Sequence, residues 1–396
     1  MTADQKPPVD IDLLDIRLFQ ERREHDAFDR LRALETPRLH PEPDGPGFFP
    51  LTRFDHVWEA ARDNDTFLSG MGTQIADKRA EGGGVPSVHN ADPPLHTHLR
   101  GFGRRALTRD LLEARREQVR ATIRGLLERT PRDTPFDFVE AIALPVPMAV
   151  FGEVLGVPEA DRERLVALAN TMSSVTASEA EQASARSALF AYFRDLAARK
   201  RAQPGDDVAS MLVAPDEQGN VLSDEELDAY FLLLVVAGNE TTRFLLAGGL
   251  EQLLLEPDTL ARLRSEPALV PSAVEEMVRW VTPVIHMRRT VARDTTCFGI
   301  EAPAGSKFVL YFSAANRDPA AFDEPGRFLI DRAPNRHVGF GAGHHFCLGA
   351  YLARLETQLF LEEFLQVIGH CELVEPGKRL PSHWVAGLES LVVRWR

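Results

Sequence analysis

The residues best suited to do chemistry stand in one short run, Phe340-Gly-Ala-Gly-His-His-Phe-Cys347-Leu-Gly349, which leads directly into the helical stretch Ala350–Glu356. The run delivers a single cysteine, Cys347, to a helix N-terminus, where free amides and the helix dipole favour a thiolate over a thiol. Glycines at 341, 343 and 349 let the backbone come close to something flat and large. One soft sulfur ligand with no second cysteine nearby does not suit tetrahedral zinc. It suits an iron whose other ligands come from a macrocycle. The bland alternative is a structural cysteine at a helix start, and the glycine pattern around Cys347 argues against it. Cys297 and Cys371 have no such setting, and three widely spaced cysteines imply no disulfide framework.

A second run lies inside a helix. Ser223 followed by Glu226 has the form of a capping box, with Asp224 and Glu225 in the first turn. Leu227, Tyr230 and Phe231–Ala237 are then apolar on all sides, the pattern of a helix buried in the middle of a protein. Into it the sequence inserts Gly238-Asn-Glu-Thr-Thr242. A buried carboxylate is costly. Gly238 weakens the helix, and the hydroxyls can bond preceding carbonyls and bend it. A polar break of that cost predicts a use.

These runs give the chain its resemblance to the bacterial cytochrome P-450 family, which extends from about residue 50 to the end. The family's haem-loop pattern, Phe-x-x-Gly-x-His-x-Cys-x-Gly, is matched by Phe340, Gly343, His345, Cys347 and Gly349, its Glu-x-x-Arg pair by Glu276 and Arg279, and its oxygen-activating stretch by Ala237–Thr242. The resemblance implies one mainly α domain over residues 1–396 with a small β-rich part. It places haem b (iron protoporphyrin IX) between a central kinked helix and the Cys347 loop, with Cys347 as axial ligand. His96, Arg100, Arg289 and His345 are then expected on the propionates, each charge-assisted bond worth roughly 1.5–3 kcal/mol. Arg288 competes with Arg289 for that place, whereas His98 and His344 have no role in the pattern. A metal site of His96, His98, His344 and His345 is disfavoured by the arginines among them. Glu276 and Arg279, one helical turn apart, are implied to be a structural ion pair closed by the loop near Asn316–Asp318 and Phe328.

Glu240 and Thr241 resemble the family's acid–alcohol pair, the alcohol assisting dioxygen and the acid relaying protons. The implied reaction inserts one oxygen atom from O₂ into a hydrophobic small molecule. Electrons are expected from a ferredoxin and its reductase, since the chain has no room for a fused reductase domain. The rivals are a peroxide-driven relative and a haem-thiolate binding or sensing protein without turnover; the intact pair argues against both. By position in the family, the pocket is expected at the 69–90 loop, residues 168–178, and Leu233, Val236, Ala237, Val284, Ile285 and Leu388. Their branched apolar character favours a terpenoid or steroid over a fatty acid, whose carboxylate would want a fixed cation. His286 is the only basic side chain among these segments.

The remaining features bound the setting. A 44% hydrophobic and 26% charged composition supports a large core, and a net charge of −14 argues against nucleic acid as a partner. The segment 100–124 runs against that charge, with eight Arg and three acids, net +5. It reads either as a solvated helix face laced with ion pairs or as a docking patch for an acidic ferredoxin at Arg104, Arg105, Arg109 and Arg116. No apolar run reaches the ~18–20 residues of a membrane span, the longest being Phe231–Ala237, and Met1–Asp15 has no signal core. A cytoplasmic, monomeric protein without membrane contact is therefore expected. Strands are predicted at Phe48–Thr52, Lys307–Phe312 and Ser390–Arg394, helices through 95–280 and over Leu348–Val367, and a flexible loop at 69–90.

Overall fold

The structure, a computed structural model, describes residues 11–76, 87–173 and 177–396. About 53% of the chain is helical and its sheets are small, in agreement with the mainly α expectation. Strands β1 (Phe48–Leu51), β2 (Phe67–Leu68), β3 (His286–Val291) and β4 (Lys307–Tyr311) form one sheet in the order β1-β4-β3-β2. β1 runs parallel to β4, with Phe48 opposite Lys307, and β4 runs antiparallel to β3, with His286 opposite Tyr311. Both predicted strands in this sheet end one residue early; Phe312 instead opens the short helix Phe312–Ala315. The predicted C-terminal strand is two strands, Leu388–Ser390 and Val392–Trp395.

Part of the loop expected at 69–90 is firmly held. Buried Arg288 donates to the carbonyls of Met71 and Gly72, and its amide donates to Thr73 O at 2.8 Å. Asp92 accepts the amides of Ser69 and Gly70, both at 2.8 Å. Gly82–Gly84 lie outside the described residues.

The helices that frame the site are α1 (Phe54–Arg62), α2 (Leu95–Ala106), α3 (Arg116–Arg129), α4 (Pro145–Leu155), α5 (Glu179–Ala202), α6 (Asp224–Leu255), α7 (Val270–Val281) and α8 (Ala350–Val367). α6 starts at the expected capping box: Glu226 N donates to Ser223 Oγ at 3.2 Å and Ser223 N to Glu226 Oε2 at 2.8 Å. It is 32 residues long and holds a stretch apolar enough to cross a membrane, by length and composition only, which the seven-residue apolar run did not suggest. Here it packs against α4, α5, α7 and α8, so its apolar surface serves a protein core. The helix runs continuously through the polar stretch Gly238–Thr242. Thr241 Oγ1 donates to Ala237 O at 2.7 Å, the back-bond open to a helical hydroxyl.

α7 carries the predicted ion pair, and both partners are fully buried. Arg279 donates to both oxygens of Glu276, at 2.8 and 2.7 Å, and to the carbonyls of Asn316, Pro325 and Arg327. Glu276 also accepts from Leu329 N, Asn335 Nδ2 and Arg332 Nε, and Arg332 is a partner the sequence did not single out. The preceding residue, Glu275, ties α7 to α8 through Arg354 and to His337. Burial opposes that carboxylate, yet Arg354 and His337 hold its pKa at about 2. Arg279→Ala leaves buried Glu276 with Arg332 as its remaining cation and removes a donor from three carbonyls. It is expected to cost about 3–5 kcal/mol, measured as a shift in the denaturant midpoint; a change under about 1 kcal/mol would refute the role.

Candidate active site

The Cys347 loop is shaped by its glycines. Gly341 and Gly343 have φ of +70° and +67°, and a Cβ on Gly343 would lie 2.4 Å from Ala61 O of α1, so no larger residue fits there. Cys347 N donates to Phe340 O at 2.8 Å and closes the loop, and Gly349 caps α8. Space beside Gly349 is open. Cys347 as a residue keeps exposed surface, although protein closes around it. That enclosure reverses the expected thiolate preference of the free chain. Burial raises the thiol pKa, outweighing the Gly349 amide, Arg100 and Arg354, which pull it down. The sulfur also precedes the helix cap by two residues, where a helix-end field has weakened.

The four predicted basic residues come together beside this loop. His96 and Arg100 come from α2, Arg289 from β3 and His345 from the loop. The His96 and His345 rings are 4.4 Å apart, and Arg100 Nη2 donates to Phe346 O at 2.5 Å. A Cβ on Gly103 would strike both Tyr230 Oη of α6 and Leu348 Cδ2, so this glycine lets α2, α6 and the loop meet. Of the adjacent arginines, Arg288 is spent on carbonyls of 71–72, while Arg289 lies near His345 and Asp92. His344, expected to be incidental, sits 6.1 Å from the His96 ring, whereas His98 packs on Phe102.

The cluster lacks counter-charge. Burial first, then Arg289, His96 and Arg100, push His345 down to about 2. Burial also lowers Arg289 to about 10, with Asp92 opposing. Both ring nitrogens of His96 and Nε of Arg100 are buried without a partner among the described residues. Asp92 is the nearby carboxylate, and both of its oxygens already accept backbone amides. A flat ligand bearing two carboxylates fits this cradle: it would answer Arg100, Arg289 and the imidazoles while its metal met the Cys347 sulfur.

On α6, Ala237 and Gly238 are exposed although the helix is central, and a Cβ on Gly238 would meet nothing within 4 Å. Glu240 and Thr241 are half-buried beside this open face. Of the pocket candidates, Ala237 is open and Leu233, Val236 and Val284 are half-buried. Ile285 and Leu388 are buried and line a cavity. His286 does not face the pocket; it is fully buried against Tyr311 and His383, with its pKa pushed down to about 3 by burial.

Two contacts had no sequence signal. Ser69 Oγ meets His345 Nε2 at 3.1 Å across 276 residues. Glu356 of α8 is buried with its carboxyl pushed well up by burial, and its side chain bonds Thr242. The basic segment is mostly spent in pairs: Arg116 on Glu113, Arg120 and Arg124 on Glu363, and Arg105 on the carbonyls of Ala214 and Pro215. Arg104 and Arg109 remain exposed, the latter over the Tyr351 ring.

A cysteine loop, a cradle for two carboxylates and an open polar turn on a core helix together define a haem-thiolate oxygenase. The family model for Cytochrome P450 matches residues 193–376. The chain is 34% identical to the steroid C26-monooxygenase of Mycolicibacterium smegmatis, covering 97% of this chain and 96% of that one. It is 33% identical to a methyl-branched lipid omega-hydroxylase of Mycobacterium bovis, covering 98% and 96%. The structure of the Mycobacterium marinum cytochrome P450 CYP268A2 in complex with pseudoionone superposes with a TM-score of 0.88 at 32% identity, covering 98% and 99%. The chain belongs to the cytochrome P450 family and is a monooxygenase.

Proposed function

We propose that this enzyme hydroxylates a terpenoid or steroid, RH + O₂ + 2 e⁻ + 2 H⁺ → ROH + H₂O, with electrons from a ferredoxin and its reductase. The haem, read as haem b, would supply oxygen activation when bound, and Cys347 would be its sulfur ligand. His96, Arg100, Arg289 and His345 hold its carboxylates, and Glu240 and Thr241 handle the protons. The observation that carries this reading is the uncompensated basic cluster beside exposed Cys347. The steroid and pseudoionone named for two relatives support the substrate class, while the lipid hydroxylase keeps a branched lipid as the second reading. Shape-based selection is worth only ~1–3 kcal/mol per methylene, so several related skeletons should bind. The test is a spin-state titration with terpenoids, steroids, branched lipids and linear fatty acids, followed by product formation with ferredoxin, reductase and NADPH. Response to linear fatty acids alone refutes the substrate class, and product formed equally with peroxide alone refutes the electron source.

In the same reading the enzyme is a cytoplasmic monomer, and ferredoxin docks where basic charge stays free, at Arg104 and Arg109. Steering by such charge raises association by ~10–10³-fold and is screened over ~10 Å at 0.1 M salt. Arg104→Glu with Arg109→Glu should slow reduction about tenfold at low salt, with the difference fading as salt rises. Arg116→Gln should alter the salt slope little, because Glu113 already neutralises Arg116. An unchanged rate and slope in the double variant excludes this face.

A further inference from the structure

A cavity of about 170 Å³ lies where the Glu24–Arg32 helix, α6, α7 and the 386–388 segment meet. One side is apolar, formed by Phe244, Ile285, Ala386 and Leu388. The other carries three guanidiniums, Arg22, Arg317 and Arg379, against two carboxylates, Glu24 and Glu251. Glu251 is spent: it accepts both contacts from Arg22 at 2.7 Å and the Gly377 amide at 3.0 Å. Arg379 reaches Glu24 only at 3.5 Å. Arg317 makes no ion pair among the described residues; it lies 3.5 Å over the Trp280 ring and donates to Trp280 O at 3.4 Å, and its Nε has no partner.

Three more buried polar atoms of residues lining this cavity, Glu24 Oε2, His25 Nδ1 and Ser313 Oγ, have no partner among the described residues. Native interiors leave few such groups, and four converging on one space call for an occupant that bonds them. The charge balance says which kind. His25 adds no cation, since burial and its arginine neighbours hold its pKa far down, and burial raises Glu24 toward neutrality. The cavity therefore carries surplus positive charge beside an apolar wall.

Its place relative to the active site is set by α6. Phe244 and Gly248 follow Thr241 by three and seven residues, about 5 and 10 Å along the helix. Ile285 and Leu388, which the family resemblance puts at the substrate pocket, form part of the cavity wall. We propose that this cavity is an oxyanion subsite of the substrate pocket, with Arg317 the cation that receives a carboxylate and Ser313 a hydroxyl donor to it. The inference rests on the monooxygenase reading above and narrows its substrate to a terpenoid or steroid acid held by its polar end, the opposite end facing Cys347. A separate small carboxylate has the same chemistry and could fill the same place.

The test uses the haem-loaded enzyme and calorimetry with lithocholic acid, its methyl ester and sodium acetate. The acid should bind about 10–100-fold tighter than the ester, the range of a charge-assisted bond, and Arg317→Gln should erase that preference. If acid and ester bind alike but acetate raises the melting temperature of the parent and not of Arg317→Gln, a free carboxylate is the occupant and the oxyanion site stands. Should Arg317→Gln fail to fold, Ser313→Val replaces it with the same expected loss. No preference and no acetate effect in the parent, or either effect undiminished in a folded variant, overturns the proposal. The reduced carbon monoxide spectrum separates the two readings: a normal thiolate band with no carboxylate effect sinks only the subsite, whereas loss of that band sinks the haem-thiolate reading itself.

Discussion

Replacing Cys347 with alanine is expected to abolish the strongly red-shifted Soret band of the reduced, carbon monoxide-treated enzyme and to bring turnover to background. The other two cysteines cannot substitute. Cys371 is buried in the strand Cys371–Leu373, with its thiol pushed up to about 12, and Cys297 sits in a β-hairpin with its thiol at about 11, burial being the main cause in both. Of the three cysteines, Cys347 is the exposed one and the one beside a cluster of basic groups without partners among the described residues. Cys297→Ser and Cys371→Ser should therefore keep the band. Haem content measured alongside separates loss of the sulfur ligand from loss of the cofactor, because the basic cluster remains in the alanine variant. A red-shifted band that survives in Cys347→Ala would move the ligand elsewhere.

What could be read from the sequence was what depends on neighbours in the chain. The capping box of α6 is such a case, since Ser223 and Glu226 need only a helical turn to meet, and so is the Glu276–Arg279 pair. The Cys347 loop was legible for the same reason: glycine spacing and one cysteine lie within ten residues. The choice between Arg288 and Arg289 was not. Alternate residues of a strand face opposite sides, so β3 sends one arginine to the 71–72 carbonyls and the other toward His345, and only the sheet's placement decides which.

Electrostatics was the least legible level. Burial of Cys347 overrides the local helix-end argument and raises its thiol pKa. The net +5 of residues 100–124 shrinks once α8 brings Glu362 and Glu363 against Arg120 and Arg124. Likewise His286 looked like a pocket residue because its chain neighbours are pocket candidates, yet its side chain packs into the sheet's own core beside Tyr311. For the arginines and for His286, contacts 25 or more residues away in the chain set the outcome.

Thr241→Ala is the variant expected to change chemistry most without disturbing the fold. Thr241 lies on the open side of α6, half-buried, and its hydroxyl bonds only to Ala237 O of its own helix, so removing it exposes no buried partner. The stability cost should stay within about 0.5 kcal/mol, as for substitutions away from packed or networked sites. Haem loading and ligand-induced spectral shifts should be unchanged. Proton assistance by a placed group is worth ~10²–10⁴-fold, so product formed per NADPH should fall sharply while NADPH consumption continues and peroxide accumulates. Thr241→Ser keeps the hydroxyl and should restore most of the coupling, whereas Thr241→Val keeps the shape without the hydroxyl and should behave as the alanine variant does. That triad distinguishes a proton-handling hydroxyl from a merely space-filling side chain. Full coupling in both the alanine and valine variants would show that protons reach oxygen by a route that does not use Thr241, and the buried Glu356–Thr242 pair one residue further on would become the next position to test.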